Sequence, residues 1–393
     1  MICLRCQLRQ LEDLGNLGGK SVLLRADVNV PLADGEIADD FRIRASMETL
    51  VWLLEQGANV VLCGHLGRPN SKETASKNTA SKNTALSMAP VEASVRELLA
   101  SEMPDCPSSR LVVLENLRFN SGETANDPAF VAELIEGRDC YVNDAFGASH
   151  RAHASIVGPP QFLPSAAGRL LTKEVEVLLG LRNKPRRPFV ALLGGAKVSD
   201  KLGVVSSLAE SVDALLIGGA MAFTFLAAKG HNVGSSLFEP DFVDDCAKLL
   251  ESDIRLLLPS DLVARDPQGQ IKQTGVNLQE GWAGLDIGPG TAAEFADEIS
   301  EAGCVFWNGP MGMFEDDRFA AGTKTVAEAV ANTSAYTVIG GGDTAAAAAT
   351  FGYTTTDLKA TNSDFDHIST GGGASLELLQ HGDLPGLAAL RAK

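Results

Sequence analysis

Short apolar runs recur along this chain, and each stops abruptly at glycine or at charge. A run beginning near Val22 leads into Arg25-Ala26-Asp27-Val28-Asn29-Val30-Pro31, Val60 to Cys63 into His65-Leu66-Gly67-Arg68-Pro69, and Leu111 to Leu114 into Glu115-Asn116-Leu117-Arg118-Phe119. A run from Asp139 ends in Asn143-Asp144-Ala145-Phe146-Gly147, Phe189 to Leu193 ends in Gly194-Gly195, and Tyr336 to Ile339 ends in Gly340-Gly341-Gly342. Helix-like stretches fill the intervals. Strands that alternate with helices predict a parallel sheet covered on both faces, so the expected fold class is α/β. A chain of 393 residues suits two or three domains. The stretch Gly158-Pro159-Pro160 through Pro164 closes a first half. An amphipathic helix is expected from about Ala166 to Leu181, ending near Asn183-Lys184-Pro185, and Phe189 opens a second half.

The loops of the second half suit anions. In Gly194-Gly195-Ala196-Lys197-Val198-Ser199-Asp200-Lys201-Leu202, two glycines allow close approach of a ligand to the backbone, and two lysines follow at i and i+4. On a helix those lysines share one face, one turn apart. A helix start preceded by glycine and carrying cations is suited to phosphate. Gly340-Gly341-Gly342-Asp343-Thr344 and Thr370-Gly371-Gly372-Gly373-Ala374-Ser375 add two more glycine turns, and Val305-Phe306-Trp307-Asn308-Gly309-Pro310-Met311-Gly312-Met313-Phe314-Glu315 is a strand followed by a tight turn. All are expected at one edge of a parallel sheet, where α/β folds place ligands.

The first half carries basic residues at the carboxyl ends of its strands instead: Arg25, Arg68, Arg118, His150, Arg151 and His153, with Arg42 and Arg44 in a helical opening. One such arginine is an ordinary surface residue. Their recurrence predicts a cationic pocket for a small, highly anionic ligand. The formal net charge of −17 sharpens this, because an anion site must be locally cationic against the field of the whole chain. The same charge argues against nucleic acid as a partner.

Several other readings are weaker. No apolar run reaches the roughly 20 residues of a membrane span, and Met1 to Gln10 lacks the apolar core of a signal peptide; a cytoplasmic location is expected. Seven scattered cysteines fit reduced thiols used as core fillers. Cys3-Leu4-Arg5-Cys6 has redox or zinc spacing but no second pair. Gly340-x-Gly342-x-x-Ala345 matches a dinucleotide fingerprint in letter, but Asp343 would face the pyrophosphate and no acidic residue closes the next strand. Gly19-Lys20-Ser21 resembles the end of a phosphate-binding P-loop, but Leu14 stands where its first glycine belongs. Thr74-Ala75-Ser76-Lys77-Asn78 is repeated as Thr79-Ala80-Ser81-Lys82-Asn83, a polar pair of copies expected to be an exposed loop.

The ordered set of motifs resembles phosphoglycerate kinase from about Leu14 to the C-terminus. The resemblance includes Gly218-Gly219-Ala220-Met221-Ala222-Phe223-Thr224-Phe225, Leu258-Pro259-Ser260-Asp261, Gly281-Trp282-Ala283-Gly284-Leu285-Asp286-Ile287-Gly288-Pro289 and Leu384-Pro385-Gly386. It implies two Rossmann-like lobes joined by a hinge helix: residues 1–165 binding 3-phosphoglycerate, a connecting helix at 166–184, residues 185–375 binding nucleotide, and a tail at 376–393 returning to the first lobe. It implies reversible, Mg2+-dependent phosphoryl transfer between 1,3-bisphosphoglycerate with ADP and 3-phosphoglycerate with ATP, by a cytoplasmic monomer without nucleic-acid or membrane partners. A carboxylate acceptor is already ionised, so positioning and charge neutralisation suffice and no general base is needed.

By the same resemblance, Arg68, Arg118 and Arg151 meet the phosphate of 3-phosphoglycerate. Asp27, Asn29 and His65 bind its hydroxyl and carboxyl end, and Arg42 faces the reacting carboxylate. Gly194, Lys197, Lys201, Asn308, Gly341, Gly342 and Thr344 surround the nucleotide phosphates, with Lys201 nearest the transferred group. Glu315 takes the ribose, Asp343 binds Mg2+, and Gly371 and Gly372 offer backbone N–H donors to the moving phosphoryl. Arg44 is expected to be structural. The chain departs from the family pattern at Glu48, Thr124 and Gly290, none of them a ligand position. Two rival readings exist: a dehydrogenase on the same architecture, which needs a working nicotinamide site, and a non-catalytic homologue, against which Arg42, Lys201 and Asp343 speak.

Overall fold

The computed structural model describes residues 8–69, 85–353 and 364–391. Cys3, Cys6 and the Thr74–Asn83 repeat lie outside that set. The chain forms two compact units, one reaching Leu178 and taking in the segment from Asp383, the other running from Leu179 to Gly382. Among the described residues no helix is long and apolar enough to cross a membrane.

The main sheet of the first unit is parallel, in the order Leu111–Val113, Asn59–Cys63, Ser21–Ala26, Cys140–Asp144, Ser165–Ala167. The strand that comes first in the chain is central. Val22 and Leu24 face a core of Met47, Leu50, Leu53 and Leu54 from the helix Phe41–Glu55, with Val91, Val95 and Leu99 from Ala89–Glu102. That is why these strands read as continuous apolar runs: helices cover the sheet and leave few strand positions for water.

The second unit repeats the scheme. Its sheet runs Leu256–Leu257, Ala214–Ile217, Phe189–Leu193, Cys304–Asn308, Tyr336–Gly340, His367–Ser369, again parallel, with its first strand inside. Phe189–Leu193 and Cys304–Asn308 are buried at every position. A smaller antiparallel sheet of Ile271–Gly275, Asp261–Arg265 and Ala283–Ile287 packs Leu262 and Ala264 against Phe223 and Leu226.

In both sheets the first strand lies between the second and the fourth. This is the doubly wound order. The connections leave in opposite directions from the gap between first and fourth strands, and that gap is where such sheets bind ligands.

The connecting segment differs from the expected helix at its start. Ala166 belongs to the edge strand Ser165–Ala167, and the helix runs from Arg169 to Asn183. Gly168 makes the bend, and a Cβ there would lie 2.1 Å from Asp144 Oδ1. Asp144 Oδ1 then accepts from Leu171 N, while Thr49 Oγ1 accepts from Arg169 N. The helix passes from the first unit to the second between Leu178 and Leu179.

Near the C-terminus, the helix Gly372–His381 stays with the second unit, where the carbonyl of Gln380 accepts from Arg182 Nη1 and Ser207 Oγ. The return begins after Gly382, later than residue 376. Gly386 N then donates to Ser149 O within the first unit, where a Cβ on Gly386 would lie 2.9 Å from Ile156 and Ser149.

Candidate functional site

In the first unit, the loops at the carboxyl ends of the strands are laced together by the predicted side chains themselves. Asp27, buried just past the first strand, accepts from Gly147 N through Oδ2 at 3.0 Å, and its Oδ1 lies 3.8 Å from Arg42 Nη1. Gly147 follows the fourth strand, so this contact spans the gap between first and fourth strands. Asn29 accepts from Gly67 N at 2.8 Å through Oδ1 and from Arg42 Nη1 at 2.9 Å through its carbonyl. Arg118 Nη1 donates to Gly67 O at 2.6 Å. Asn116 closes the corner: Oδ1 accepts from Leu66 N and Arg118 N, and Nδ2 donates to Leu66 O.

The structure thus brings together Asp27, Asn29, Arg42, His65 and Arg118. Arg68 and Arg151 are exposed but sit close enough for their charge, with that of Arg25, to act on Arg118. Burial first and these cations second push its guanidinium down to about 10. Burial and the charges of Arg25, Arg118 and Arg42 hold His65 well below the ordinary histidine range, so it is neutral at pH 7. Arg44 stands apart, pairing with Asp40 at 2.8 Å on the helix surface. One expectation fails on position: Arg25 is not past its strand but inside it, fully buried, donating through Nε to Ser155 Oγ.

In the second unit the lysine run is not helical. The helix begins only at Leu202, with Lys201 at its cap, so Lys197 and Lys201 do not share a helix face. Gly195 at φ +106° and a turn from Lys201 N to Val198 O wind the loop instead. The loop is anchored by Glu239, which accepts from Ser199 N at 2.9 Å and Ser199 Oγ at 2.7 Å. Glu239 lies 40 residues away, and no local pattern marks it.

Lys201 reaches back across this loop. Its Nζ donates to Gly194 O at 2.6 Å, Asn308 Oδ1 at 2.7 Å and Asn308 O at 3.0 Å. Burial pushes its ammonium down to about 8, while Asp343 and Asp200 pull it back up. Asn308 ends the fourth strand and also donates through Nδ2 to Gly340 O at 2.7 Å. Thr344 Oγ1 donates to that same carbonyl and accepts from Gly309 N.

Glycine is required where these loops meet. A Cβ on Gly194 would lie 2.1 Å from Pro310 O, and one on Gly219 2.5 Å from Gly195 N. Gly341, at φ +95°, caps the helix Gly342–Thr350, and Gly371 caps Gly372–His381. A Cβ on Gly372 would come within 3.3 Å of Gly341 Cα, so two helix N-termini open side by side. Backbone N–H groups arranged in this way attract anions. Asp343 is exposed in the first turn of Gly342–Thr350, and Lys197 and Glu315 are exposed on their loops.

Two buried polar residues lie against the Gly309–Met313 turn: Thr323 bonds to it, and a Cβ on Gly312 would lie 2.1 Å from Asp286 Oδ1. Buried Thr323 accepts from Met311 N and Gly312 N at 3.1 Å each. Buried Asp286 accepts from Gly322 N and Ile287 N and is pushed up to about 7 by burial.

Comparison with known proteins agrees with this geometry. Residues 11–382 match the sequence model of the family described as phosphoglycerate kinase. The phosphoglycerate kinase of Salinispora tropica is 48% identical, covering 98% of this chain and all of the relative, and that of Rubrobacter xylanophilus is 46% identical over 97% and 98%. Among solved structures, phosphoglycerate kinase from Coxiella burnetii superposes with a TM-score of 0.81 at 34% identity over 98% of this chain and 100% of that one. The enzyme from Pyrococcus horikoshii gives 0.80 at 30% identity over 98% of both. Cation-lined loops at the switch point of one doubly wound sheet and glycine-lined loops at that of another, with matches over nearly the whole chain, lead to one conclusion: this chain belongs to the phosphoglycerate kinase family.

Proposed function

We propose a division of labour in which the first unit binds the phosphoglycerate and the second binds the nucleotide. The reaction is that of the family, phosphoryl transfer between 1,3-bisphosphoglycerate with ADP and 3-phosphoglycerate with ATP, as in glycolysis. The observation that carries the division is the contrast at the two switch points: guanidinium groups in one unit, and Lys201 with backbone N–H groups in the other.

Arg68, Arg118 and Arg151 take the 3-phosphate, since a planar guanidinium grips phosphate by two parallel bonds. Asp27, Asn29 and His65 orient the hydroxyl and carboxyl end. Asn29 uses its carbonyl oxygen on Gly67, which leaves its amide nitrogen for the ligand. Arg42 faces the acceptor carboxylate. In the second unit, Gly194, Lys197, Asn308, Gly341, Gly342 and Thr344 form the phosphate cradle, and Glu315 takes the ribose. Lys201 exchanges its carbonyl partners for the transferred phosphoryl, and Gly371 and Gly372 supply N–H donors. Such donors stabilise charge where it develops. The acceptor carboxylate needs no deprotonation, so no side chain moves a proton.

Asp343 suits Mg2+. It is exposed beside the glycine cradle, and magnesium at phosphates is bound through one or two carboxylates, with substrate oxygens and water completing the shell. When bound, the ion neutralises phosphate charge. We read the protein as a cytoplasmic monomer without nucleic-acid or membrane partners, in keeping with a net charge of −17.

Since the two sets of ligands belong to different units, transfer requires the units to close so that reacting atoms come within about 3–3.5 Å. The Arg169–Asn183 helix, which passes between the units, is the hinge. Calorimetry tests the division: Arg118→Ala should lose 3-phosphoglycerate affinity and keep ATP affinity, and Lys197→Ala the reverse. Loss of both ligands in either variant refutes it. Solution scattering tests closure. The radius of gyration should fall only with both ligands bound, and equal radii in all states refute the hinge.

A further inference from the structure

Glu123 and Arg25 are both fully buried, yet they lie on separate elements, the short helix Ser121–Ala125 and the first strand. Ser155 joins them. Its Oγ donates to Glu123 Oε1 at 2.6 Å and accepts from Arg25 Nε at 2.9 Å, and its backbone N–H donates to Glu123 Oε2 at 2.9 Å. Arg25 Nη1 donates to Ala26 O at 2.6 Å, and Nη2 lies 2.9 Å from Nδ1 of His65. A guanidinium has donors and no acceptor. Nδ1 must therefore be the acceptor, with the ring proton on Nε2.

We propose that Glu123, acting through Ser155 and Arg25, is a positioning group that locks His65 as the neutral Nε2–H tautomer. His65 thereby presents a permanent donor to the oxygens of the acceptor substrate. Tautomer choice is otherwise soft, since neutral imidazole can carry its proton on either nitrogen. A donor that must meet a carboxylate or hydroxyl oxygen cannot be left to that choice. Protonating Nδ1 would set N–H against N–H. The surroundings oppose it further: burial first, then the charges of Arg25, Arg118 and Arg42, and of His153 when that ring is protonated, disfavour a proton on His65. Glu123 offsets the buried charge of Arg25 and stands 3.8 Å from His153 Nδ1, while Asp27 stands 3.8 Å from Arg42. Burying Arg25 without Glu123 would leave an uncompensated charge inside the sheet.

The substrate half of this proposal rests on reading His65 as a ligand; the tautomer does not. The test is the ring 15N NMR of His65 in the full-length, ligand-free protein, assigned with His65→Ala, alongside steady-state kinetics. The expected spectrum has a protonated Nε2 and a bare Nδ1, unchanged from about pH 8 to about pH 5.5, the range in which an ordinary histidine titrates. Arg25→Met should admit the second tautomer or an imidazolium near neutral pH. It should raise KM for 3-phosphoglycerate about ten- to 150-fold, the scale of one hydrogen bond to a charged group, with KM for ATP unchanged. Ser155→Ala, which keeps Arg25 in place, should shift the ring signals in the same direction by less. Should Arg25→Met not fold, Ser155→Ala and Glu123→Gln carry the test. A wild-type ring protonated on Nδ1, or signals that stay at their wild-type positions in every variant that folds, overturns the lock. An unchanged KM for 3-phosphoglycerate in His65→Ala, with the expected ring spectrum in wild type, overturns the ligand role and upholds the lock.

Discussion

The two units share the order of their first five strands and line the gap between first and fourth strands differently. In the first, buried and half-buried arginines are held by side chains and main chain together: Asp27 Oδ1 and the Asn29 main-chain carbonyl position Arg42, Gly67 O holds Arg118, and Ser155 with Glu123 positions Arg25. In the second, backbone does most of the work. Lys201 is held by two carbonyls and one amide, and the loops approach so closely at Gly194 and Gly219 that a single added carbon would collide with main chain. A side-chain pocket suits a compact ligand whose charged ends must be gripped from several directions. A backbone cradle suits a chain of phosphates lying along the loops. Doubly wound topology therefore fixes where a ligand binds, and the loop composition fixes what kind.

The comparison can be broken most severely at the transferred group. Lys201→Ala should lower kcat about 10²–10³-fold while changing nucleotide affinity less, because a charge aimed at the developing transition state acts mainly there. Arg42→Ala should match it from the other unit. A kcat near wild type in either variant, measured by a coupled assay, removes that residue from the reaction.

Gly194→Ala should come next. Its Cβ would meet Pro310 O at 2.1 Å, so the loop must shift, displacing the Lys201 acceptors with it. We expect at least a tenfold loss of kcat/KM for ATP, about 1.4 kcal/mol. Wild-type kinetics with ATP would show that close backbone approach is not what distinguishes the second unit. Arg151→Ala should weaken 3-phosphoglycerate by about 1.5–3 kcal/mol, the cost of a charged hydrogen bond. A change confined to KM for ATP would reverse the assignment of the units.

Asp343→Asn should weaken MgATP more than metal-free ADP, read by calorimetry with and without chelator. Equal losses would make Asp343 a mere helix-terminal charge. The smallest expected effect is on pH. Lys201 titrates at about 8 in the free protein, so its charge is present below that pH and lost above it. The kcat/KM for ATP, which reports the free enzyme, should bend downward as pH rises through about 8. A profile flat to pH 10 would mean that Lys201 keeps its charge or that its charge is not used.

Much of this architecture is legible in the order of the amino acids. Apolar runs ending in glycine or arginine mark the strands from Asn59 to Cys63 and from Phe189 to Leu193, because burial on both faces leaves a purely local trace. The glycines at 194, 341 and 371 and the arginines at 42, 68, 118 and 151 stand out because they recur in the loops and helix openings that follow such runs. Other features carry a misleading mark or none. The lysine pair has helical spacing, but Gly195 and the Glu239 anchor hold that loop outside the helix. Ala166 fits an amphipathic helix, but the partner strand Cys140–Asp144 recruits it as an edge.

By itself the sequence determined the fold class and the family, since these depend on residue type and short-range pattern. Tertiary structure alone decided which loops meet and what holds them. Arg25 and Ser155 are 130 residues apart, Glu123 and Ser155 32, and Lys201 and Asn308 107. The first and last of these contacts arise because the sheet order places first and fourth strands side by side. No local preference encodes that order; burial of the whole sheet does.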